Sequence, residues 1–364
     1  MKILYDHQIF CLQQYGGISR YFYELANHIA ALVEHRVEIF APFYTCQYLT
    51  ARGAATHKGI KIPRLSGLER VAAWGIDTAL AYLVSSSQSM VDVFHATYYS
   101  GVACCTRPSK RIITVHDMIY EKFSDQFPGQ DKMRQMKKNA MIRADHIICV
   151  SDNTRRDLLE LLPIPENKTS VIYHGSSFYK KTKSKPFPIR KRYLLFIGQR
   201  DGYKNFDSLL RAFAHSSKLR KDFLLICFGG GTFSSVEKKR IATLGLSLQD
   251  VIHVCGDDAD LAGFYGEAAA FVYPSLYEGF GIPLLEAMAL SCPVACSNAS
   301  SFPEVVGHAA DLFDPLDEES IRSTIERVVF STEHRDFLIG RGLDRARLFS
   351  WDRCAKETLR VYAN

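Results

Sequence analysis

The stretch PSLYEGFGIPLLEAMALSCPVACSN, residues 274–298, combines the end of a strand, a glycine turn and the start of a helix. The apolar run AAAFVY before it is long enough for a buried strand, and after Gly281 the apolar spacing becomes helical, with Pro283 in the first turn. Such a unit places free backbone N–H groups and the positive end of a helix dipole at the carboxyl edge of a parallel sheet. The stretch therefore predicts an anion site, with Glu278 on the loop and Glu286 on the helix.

The composition indicates an ordinary globular chain. Its 364 residues are 47% hydrophobic and 23% charged, which suffices for two domains with separate cores. The net charge of +6 is mild and does not indicate a nucleic-acid partner. The ten cysteines form no C-x-x-C pair, which is typical of reduced, buried thiols. We find neither a signal peptide nor the ~18 apolar residues of a membrane span, so we expect a cytoplasmic protein, with peripheral attachment to the inner face of the membrane left open.

Short apolar runs alternate with helical patterns along the whole chain, and we predict six strands in each half. Such alternation is typical of parallel sheets covered by helices on both faces. The polar, proline-bearing stretch 176–192 separates the halves, and residues 179–192 hold seven Lys and Arg and no Asp or Glu. We predict an α/β protein of two doubly wound, Rossmann-like domains that face each other across a cleft, with one reactant in each half.

Candidate site residues in the first half follow predicted strands. Gly16 and Gly17 precede a helix, so the backbone there can approach a ligand closely. Their spacing is not that of a dinucleotide fingerprint, which disfavours a nicotinamide-dependent dehydrogenase. His95 and His116 end two strands, and although one such histidine is usually structural, two at neighbouring strand ends favour a role in the cleft. Three further polar residues share this placement: Asp117, Ser151 and Asp152.

The second half offers a cationic loop, GQRDGYKN, residues 198–205, directly after its first strand. Arg200 and Lys204 would project from a glycine-containing turn just before a helix, which suits a diphosphate, although a solvated loop is the alternative. The following FGGGTF loop supplies only permissive backbone. One D-x-D motif, Asp258 to Asp260, fits a metal site or a helix N-cap, and we favour the cap because cations are already at hand.

Together these elements resemble the retaining glycosyltransferases of family 4, which have the GT-B fold. The resemblance is carried by the Gly16-Gly17 loop, TVHD, VSDNT, IGQRDGYKN, PSLYEGFGIPLLEAMALSCPV and SSFPEVVGHAADLFDP, and it spans nearly the whole chain. It implies an acceptor-binding domain at residues 1–178 and a nucleotide-sugar-binding domain at residues 179–343. Residues 344–364 would form a C-terminal helix that crosses back to the first domain.

The resemblance also implies roles for side chains. Glu286 would bind the ribose hydroxyls of a nucleotide sugar, and Glu278 would face the donor sugar, since a carboxylate accepts hydrogen bonds from hydroxyl groups. Arg200 and Lys204 would neutralise the diphosphate. His116 would lie near the sugar and the reacting centre.

Backbone groups would complete the predicted donor site. The amides of Gly279, Phe280, Gly281 and Ile282 would bind the sugar or phosphate, and the loop of Gly16 and Gly17 would lie over the phosphates and acceptor. Three positions depart from the pattern common in the family and weaken any inference about the donor: Gln199, His174 and Ser291.

The resemblance and the residues together predict transfer of a hexose with retention, by front-face attack and without a divalent metal or other cofactor, because cations and helix dipoles can stabilise the leaving diphosphate. The resemblance alone implies GDP-mannose as the favoured donor, with UDP-sugars as the alternative. A glycan or lipid-linked sugar of bacterial surface polysaccharide is the expected acceptor.

Other readings remain open at this point. A phosphorylase or epimerase with the same architecture and a non-catalytic scaffold are the rivals. The basic helix predicted within residues 131–146 fits an anionic membrane or a solvated face equally well. The nucleoside, the sugar, the acceptor with its linkage and the oligomeric state are not determined by the sequence.

Overall fold

The computed structural model describes residues 1–32, 34–50, 53–63, 75–76, 79, 91–99, 108–178 and 191–364. Two compact units result: unit 1 holds residues 1–175 and 350–364, and unit 2 holds residues 176–349. Most of the predicted basic linker, residues 179–190, lies outside the described residues.

The described part of unit 1 contains a sheet of seven parallel strands in the order β3-β2-β1-β4-β5-β6-β7. Six of them follow apolar runs of the sequence. The edge strand β3 was not predicted, because all six of its residues are exposed and its sequence, THKGIK, carries no buried side. The strands are β1 (Lys2–Tyr5), β2 (Arg36–Tyr44), β3 (Thr56–Lys61), β4 (Val93–Ala96), β5 (Lys110–Val115), β6 (His146–Cys149) and β7 (Thr169–Val171).

Helices cover this sheet through their apolar faces. In the long helix after β1, Tyr21, Phe22, Leu25 and Ile29 are fully buried, as expected of an apolar stripe at helical spacing. The helices whose full bounds lie within the described residues up to β7 are α1 (Gln8–Leu12), α2 (Gly17–Ala30), α3 (Ile119–Lys122), α4 (Asp131–Arg143) and α5 (Asp152–Leu161).

Unit 2 contains a sheet of six described parallel strands in the order β10-β9-β8-β11-β12-β13. The strands are β8 (Arg192–Ile197), β9 (Phe223–Phe228), β10 (Val251–Val254), β11 (Ala270–Tyr273), β12 (Val294–Ser297) and β13 (Asp311–Phe313). The helices are α6 (Phe206–His215), α7 (Ser217–Asp222), α8 (Ser235–Thr243), α9 (Asp258–Glu267), α10 (Ile282–Ala289), α11 (Phe302–Val306), α12 (Glu318–Phe330) and α13 (Thr332–Arg347).

The last helix, α14 (Trp351–Ala363), belongs to unit 1 and packs against α2. Trp351 stacks on His174 with ring centroids 5.9 Å apart, and a Cβ added at Gly175 would lie 2.3 Å from the Trp351 nitrogen. This position admits only glycine, because any side chain would push the start of α14 away.

Both sheets reverse their winding direction at one point, between β1 and β4 in unit 1 and between β8 and β11 in unit 2. Ligands of doubly wound sheets bind outside the carboxyl ends of the strands at such switch points. The predicted α/β class with two doubly wound parallel sheets is confirmed. No described helix has both the length and the apolar character that crossing a bilayer requires.

Candidate active site

An ion pair joins the two strands that flank the switch point of unit 2. Lys204 follows β8 and Glu278 follows β11, and Lys204 Nζ donates to Glu278 Oε1 at 2.5 Å and to the Tyr273 hydroxyl at 3.3 Å. The Ser275 hydroxyl donates to the same carboxylate oxygen at 2.8 Å. Two of the residues predicted from sequence are thus brought into direct contact at the edge where ligands bind.

The loop that carries Lys204 is held by Asn205, which adopts a left-handed conformation with φ of 55°. Its side-chain amide donates to the carbonyl oxygens of Pro274 at 3.1 Å and Pro315 at 2.7 Å. Asparagine tolerates this conformation better than most residues do. The loop of the lysine, which follows β8, is therefore held by the segments that follow β11 and β13, across the switch point.

Two serines hold the backbone of Glu278. The Ser300 hydroxyl donates to the Glu278 carbonyl at 2.5 Å and accepts from its N–H at 3.2 Å, and the Ser301 hydroxyl lies 2.9 Å from the carbonyls of Glu278 and Phe280. Ser300 itself has φ of 57°, a strained conformation for a residue with a side chain. No local pattern in the sequence indicates these contacts, because the serines lie more than twenty residues downstream of the glutamate.

The geometry of the turn before α10 requires glycine at position 281. Gly281 has φ of +100° and caps the helix, and a Cβ there would lie 3.0 Å from Leu284 and 3.1 Å from the Phe302 ring. Phe280 is buried and packs against Phe349 at 5.9 Å. The backbone amides of Gly279, Phe280 and Ile282 lie in this turn, and their predicted contact with a donor stays a prediction.

Glu286 lies in the second turn of α10 and is only 3% exposed. The Tyr265 hydroxyl lies 3.2 Å from its carboxylate and 3.1 Å from the Pro283 carbonyl. Burial, followed by the charge of Glu286, raises the pKa of Tyr265 well above its usual value, so the phenol stays a donor. The predicted contact between Glu286 and ribose stays a prediction.

Arg200 forms an ion pair and hydrogen bonds within the protein, whereas the sequence predicts a cation that projects from its loop. Its Nε donates to Glu237 at 2.6 Å, and its terminal nitrogens donate to the carbonyls of Gly229 at 3.0 Å and Gly231 at 2.8 Å. The side chain is 3% exposed. The guanidinium holds three consecutive left-handed glycines in place. The predicted contact between Arg200 and a diphosphate would require some of these bonds to be exchanged.

His116 follows β5 in unit 1 and is 8% exposed. Its ring packs edge-on against Tyr21 at 5.1 Å and lies 5.8 Å from the ring of His174. Burial, followed by His95 and Lys137, lowers its pKa to about 3, so the imidazole is neutral near pH 7. Within the described chain, His116 Nε2 is buried and has no hydrogen-bond partner. A buried polar atom without a partner calls for an explanation, and a hydrogen bond to a bound ligand would supply one.

Gly16 and Gly17 begin α2, and a residue that sequence reasoning missed organises this turn. The side-chain oxygen of Gln13 accepts from the Ser19 N–H at 3.1 Å, and the Ser19 hydroxyl donates to the Gly16 carbonyl at 3.1 Å. A Cβ at Gly16 would lie 2.3 Å from that same oxygen of Gln13. Gln13 thus performs the capping that glycine at the N-cap position cannot supply.

Comparisons with known proteins identify the family. The sequence pattern described as Glycosyl transferases group 1 matches residues 178–343, and that described as Glycosyltransferase Family 4 matches residues 15–176. O-antigen chain mannosyltransferase B of Escherichia coli is 31% identical over 271 residues, which cover 70% of this chain and 71% of that protein. The chain is a family 4 glycosyltransferase. The predicted family and enzyme class are therefore confirmed.

Two further comparisons are more distant. Serotype-specific mannosyltransferase WbdA of Escherichia coli is 24% identical over 306 residues, which cover 78% of this glycosyltransferase but only 37% of WbdA. The solved structure of Anabaena HepE in complex with UDP and glucose aligns over 100% of both chains, with a TM-score of 0.76 and 17% identity. This likeness shows the GT-B fold and nothing beyond it.

His95 of the glycosyltransferase is a structural residue, which corrects the expectation of a cleft role. It is fully buried, and its two ring nitrogens bond to the Tyr362 hydroxyl at 2.6 Å and the Thr114 hydroxyl at 2.9 Å. Tyr5 and Tyr21 extend this chain of hydrogen bonds at either end. His95 thereby ties α14 to the sheet and to α2. Ser151 has a local role as well, because its hydroxyl caps α5 through the Thr154 N–H.

The D-x-D motif of the glycosyltransferase lies in the first turn of α9. Asp257 is the N-cap and accepts from the N–H groups of Ala259 and Asp260, and the Asp260 carboxylate accepts from the Asp257 N–H, which completes a capping box. In the part of the chain that the structure describes, no group of three or more His, Cys, Asp or Glu has a metal-binding arrangement.

The basic helix α4 does not present all of its charges to solvent. Lys132 and Arg143 are exposed, but Lys137 is buried and Arg134 pairs with Asp131. A signal for this was present in the sequence, since Lys137 lies at helical spacing between Met133 and Met141 and thus within the apolar stripe.

Proposed function

We propose that this glycosyltransferase moves a mannosyl group from GDP-mannose to a glycan or lipid-linked acceptor of bacterial surface polysaccharide, with retention of anomeric configuration. The observation that carries the proposal is the Lys204–Glu278 ion pair at the switch point of unit 2, 2.5 Å between Nζ and Oε1. It puts a cation for a diphosphate and a carboxylate for sugar hydroxyls side by side. The names of the relatives, an O-antigen mannosyltransferase and WbdA, support the choice of sugar.

The diphosphate of a nucleotide sugar carries two negative charges, and breaking the bond to the sugar adds another on the leaving oxygen. Fixed cations and dipoles stabilise such developing charge best. Lys204 supplies the cation and the N-terminus of α10 supplies the dipole. We infer from this that no divalent metal is required. Glu286 would accept hydrogen bonds from the ribose hydroxyls, and Tyr265 would keep its carboxylate oriented.

A neutral His116 suits a hydroxyl-bearing ligand, because its buried Nε2 can form a hydrogen bond without adding charge. Among the residues that the structure describes, no carboxylate is a clear nucleophile for a double displacement. We therefore infer front-face attack, in which the leaving phosphate accepts the proton of the acceptor hydroxyl. The anomeric configuration of the product, read by NMR, tests this, and an inverted product contradicts it.

A UDP-sugar is the second candidate donor, favoured by the fold shared with HepE, whose structure was solved with UDP and glucose. A phosphorylase or epimerase would use the same cation without releasing nucleoside diphosphate in response to an acceptor. Peripheral membrane attachment, through the exposed Ile142 and Arg143 of α4, is a further proposal.

The test is a thermal-shift panel with GDP, UDP, ADP and their sugars, in the presence of EDTA. A ligand at a hundred times its Kd stabilises by about 2.7 kcal/mol, which shifts the Tm by several degrees at most. Stabilisation by GDP and GDP-mannose alone supports the proposal, and stabilisation by UDP alone selects the second donor. A folded protein that responds to none of them contradicts both donors.

A further inference from the structure

Lys137 lies on α4, yet its side chain points into unit 1 and is only 1% exposed. Removing an ammonium group from water is costly unless charges and hydrogen bonds replace the lost hydration. The burial of this lysine therefore calls for partners of defined geometry.

The partners all belong to the segment that follows β5 and to one aromatic ring. Lys137 Nζ donates to the Asp117 carbonyl at 2.6 Å and to the Glu121 carboxylate at 3.0 Å. It also lies 5.4 Å from the centre of the Tyr99 ring. The Asp117 carboxylate, 3.6 Å from Nζ, accepts from the Ile119 N–H at 3.1 Å. One ammonium group thus bonds to both ends of the short segment 117–121.

Two of the groups that Lys137 contacts, Asp117 and the Tyr99 ring, are also neighbours of His116. Asp117 is the next residue in the chain, and the Tyr99 hydroxyl accepts from the His116 N–H at 3.4 Å. Within the described residues no hydrogen bond reaches His116 Nε2, so no such bond orients that side of the ring. The orientation of the imidazole there depends on the His116 backbone and on packing against Tyr21 and His174. The backbone on the carboxyl side of His116 is held by Lys137.

We propose that Lys137 is a positioning residue, which fixes the peptide after His116 so that Nε2 of the imidazole is directed at the substrate. The consequence for sugar transfer rests on the function proposed above, whereas the effect on the imidazole does not. The competing explanations are that Lys137 only balances the charge of Glu121, or that it contributes positive charge to a membrane-binding surface.

Three variants separate these explanations. Lys137→Met combined with Glu121→Gln removes both charges together, so no buried carboxylate is left unpaired. Glu121→Gln alone keeps the bond between Lys137 and the Asp117 carbonyl. Lys132→Met is the matched control, because it removes one positive charge from an exposed position of the same helix.

Displacement of a catalytic group by about 1 Å costs roughly a hundredfold in rate, so we expect kcat of the folded double variant to fall about tenfold to a hundredfold. Its Kd for a nucleoside diphosphate should stay within about twofold, because Lys204, Glu286 and the turn before α10, which are proposed to bind it, belong to unit 2. Both single variants should keep wild-type kcat. A double variant with wild-type kcat, or an equal loss in Lys132→Met, overturns the proposal.

A second readout does not depend on activity. In protein labelled with ¹³C at the histidine ring carbons, the His116 signal is assigned by its loss in His116→Asn. We expect this signal to shift in the double variant and to stay in place in Lys132→Met. An unmoved signal overturns the positioning role, whereas wild-type protein that binds no nucleotide and transfers no sugar overturns only the proposed function.

Discussion

The two sheets share a strand order but end in different chemistry. At the switch point of unit 2, Lys204 and Glu278 form a close ion pair, and Arg200 of the same loop as Lys204 pairs with Glu237. In unit 1, the edge after β5 presents His116, neutral and walled by aromatic rings. A charged edge suits an anionic diphosphate, and a neutral one suits hydroxyl groups. One topology thus supports two kinds of site, because the loops and not the strands carry the polar residues.

The sharpest test of this contrast is Lys204→Met. Loss of the cation should lower kcat/KM by about 10³-fold, comparable to the loss of a group that stabilises charge in a transition state, and should weaken binding of nucleoside diphosphate. Initial rates and calorimetric titration measure both effects. Lys221→Met, an exposed lysine of the same unit, is the control and should be silent. Unchanged nucleotide affinity in Lys204→Met would contradict the claim that the charged edge of unit 2 binds the diphosphate.

His116→Asn tests the neutral edge. We expect kcat to fall about a hundredfold, the usual scale for a hydrogen-bonding catalytic group, with the Kd for nucleotide unchanged. The same two assays as for Lys204 make the contrast direct. His57→Asn, on the exposed strand β3, serves as control. Loss of nucleotide binding in His116→Asn would contradict the division of roles between the units.

The buried histidines predict how the stability of unit 1 depends on pH. Burial lowers the pKa of His95 and His116 to about 3, and that of His174 well below its usual value. Between about pH 6.5 and 3 the unfolded chain binds protons that the folded chain does not, so stability falls as the pH is lowered. Each histidine contributes up to about 1.4 kcal/mol per pH unit.

Urea unfolding at pH 7, 6 and 5, followed by tryptophan fluorescence, to which Trp351 of unit 1 contributes, measures this slope. His116→Asn lacks one of the titrating groups and should show a shallower dependence. Equal slopes in the two proteins would mean that His116 is protonated in the folded state.

The smallest effect concerns backbone strain, which the described residues of unit 2 hold at Asn205, Ser291 and Ser300. Ser291 has φ of 60°, so Ser291→Gly should raise the free energy of unfolding by up to about 1 kcal/mol. Ser300→Gly relieves the same kind of strain but removes the hydroxyl that holds Glu278, so it should lower kcat about tenfold. Thermal melts and rates for both variants check this. If Ser300→Gly keeps full activity, the strain there does not serve the site.

Part of this site was predictable because the signals were local. The apolar run, the glycine with φ of +100° and the proline that define the turn before α10 all act within a few residues, and so does the capping box of α9. His95 and His116 show where such signals stop. Both end strands in the sequence, yet one has both nitrogens bonded inside the core and the other has a buried nitrogen without a partner among the described residues.

The sequence by itself determined the two parallel sheets and the strand-turn-helix units. It also placed Lys204, Glu278 and His116 at strand ends or in the turns that follow, and Glu286 on the helix after such a turn. The tertiary structure alone decided the partners: Lys204 meets Glu278 across 74 positions of the chain, Ser300 holds Glu278 across 22, and Lys137 reaches Asp117 across 20. Periodicity and turn residues encode short-range conformation. Hydrogen bonds between distant segments depend on how the packed strands and helices bring those segments together, and no local pattern records that.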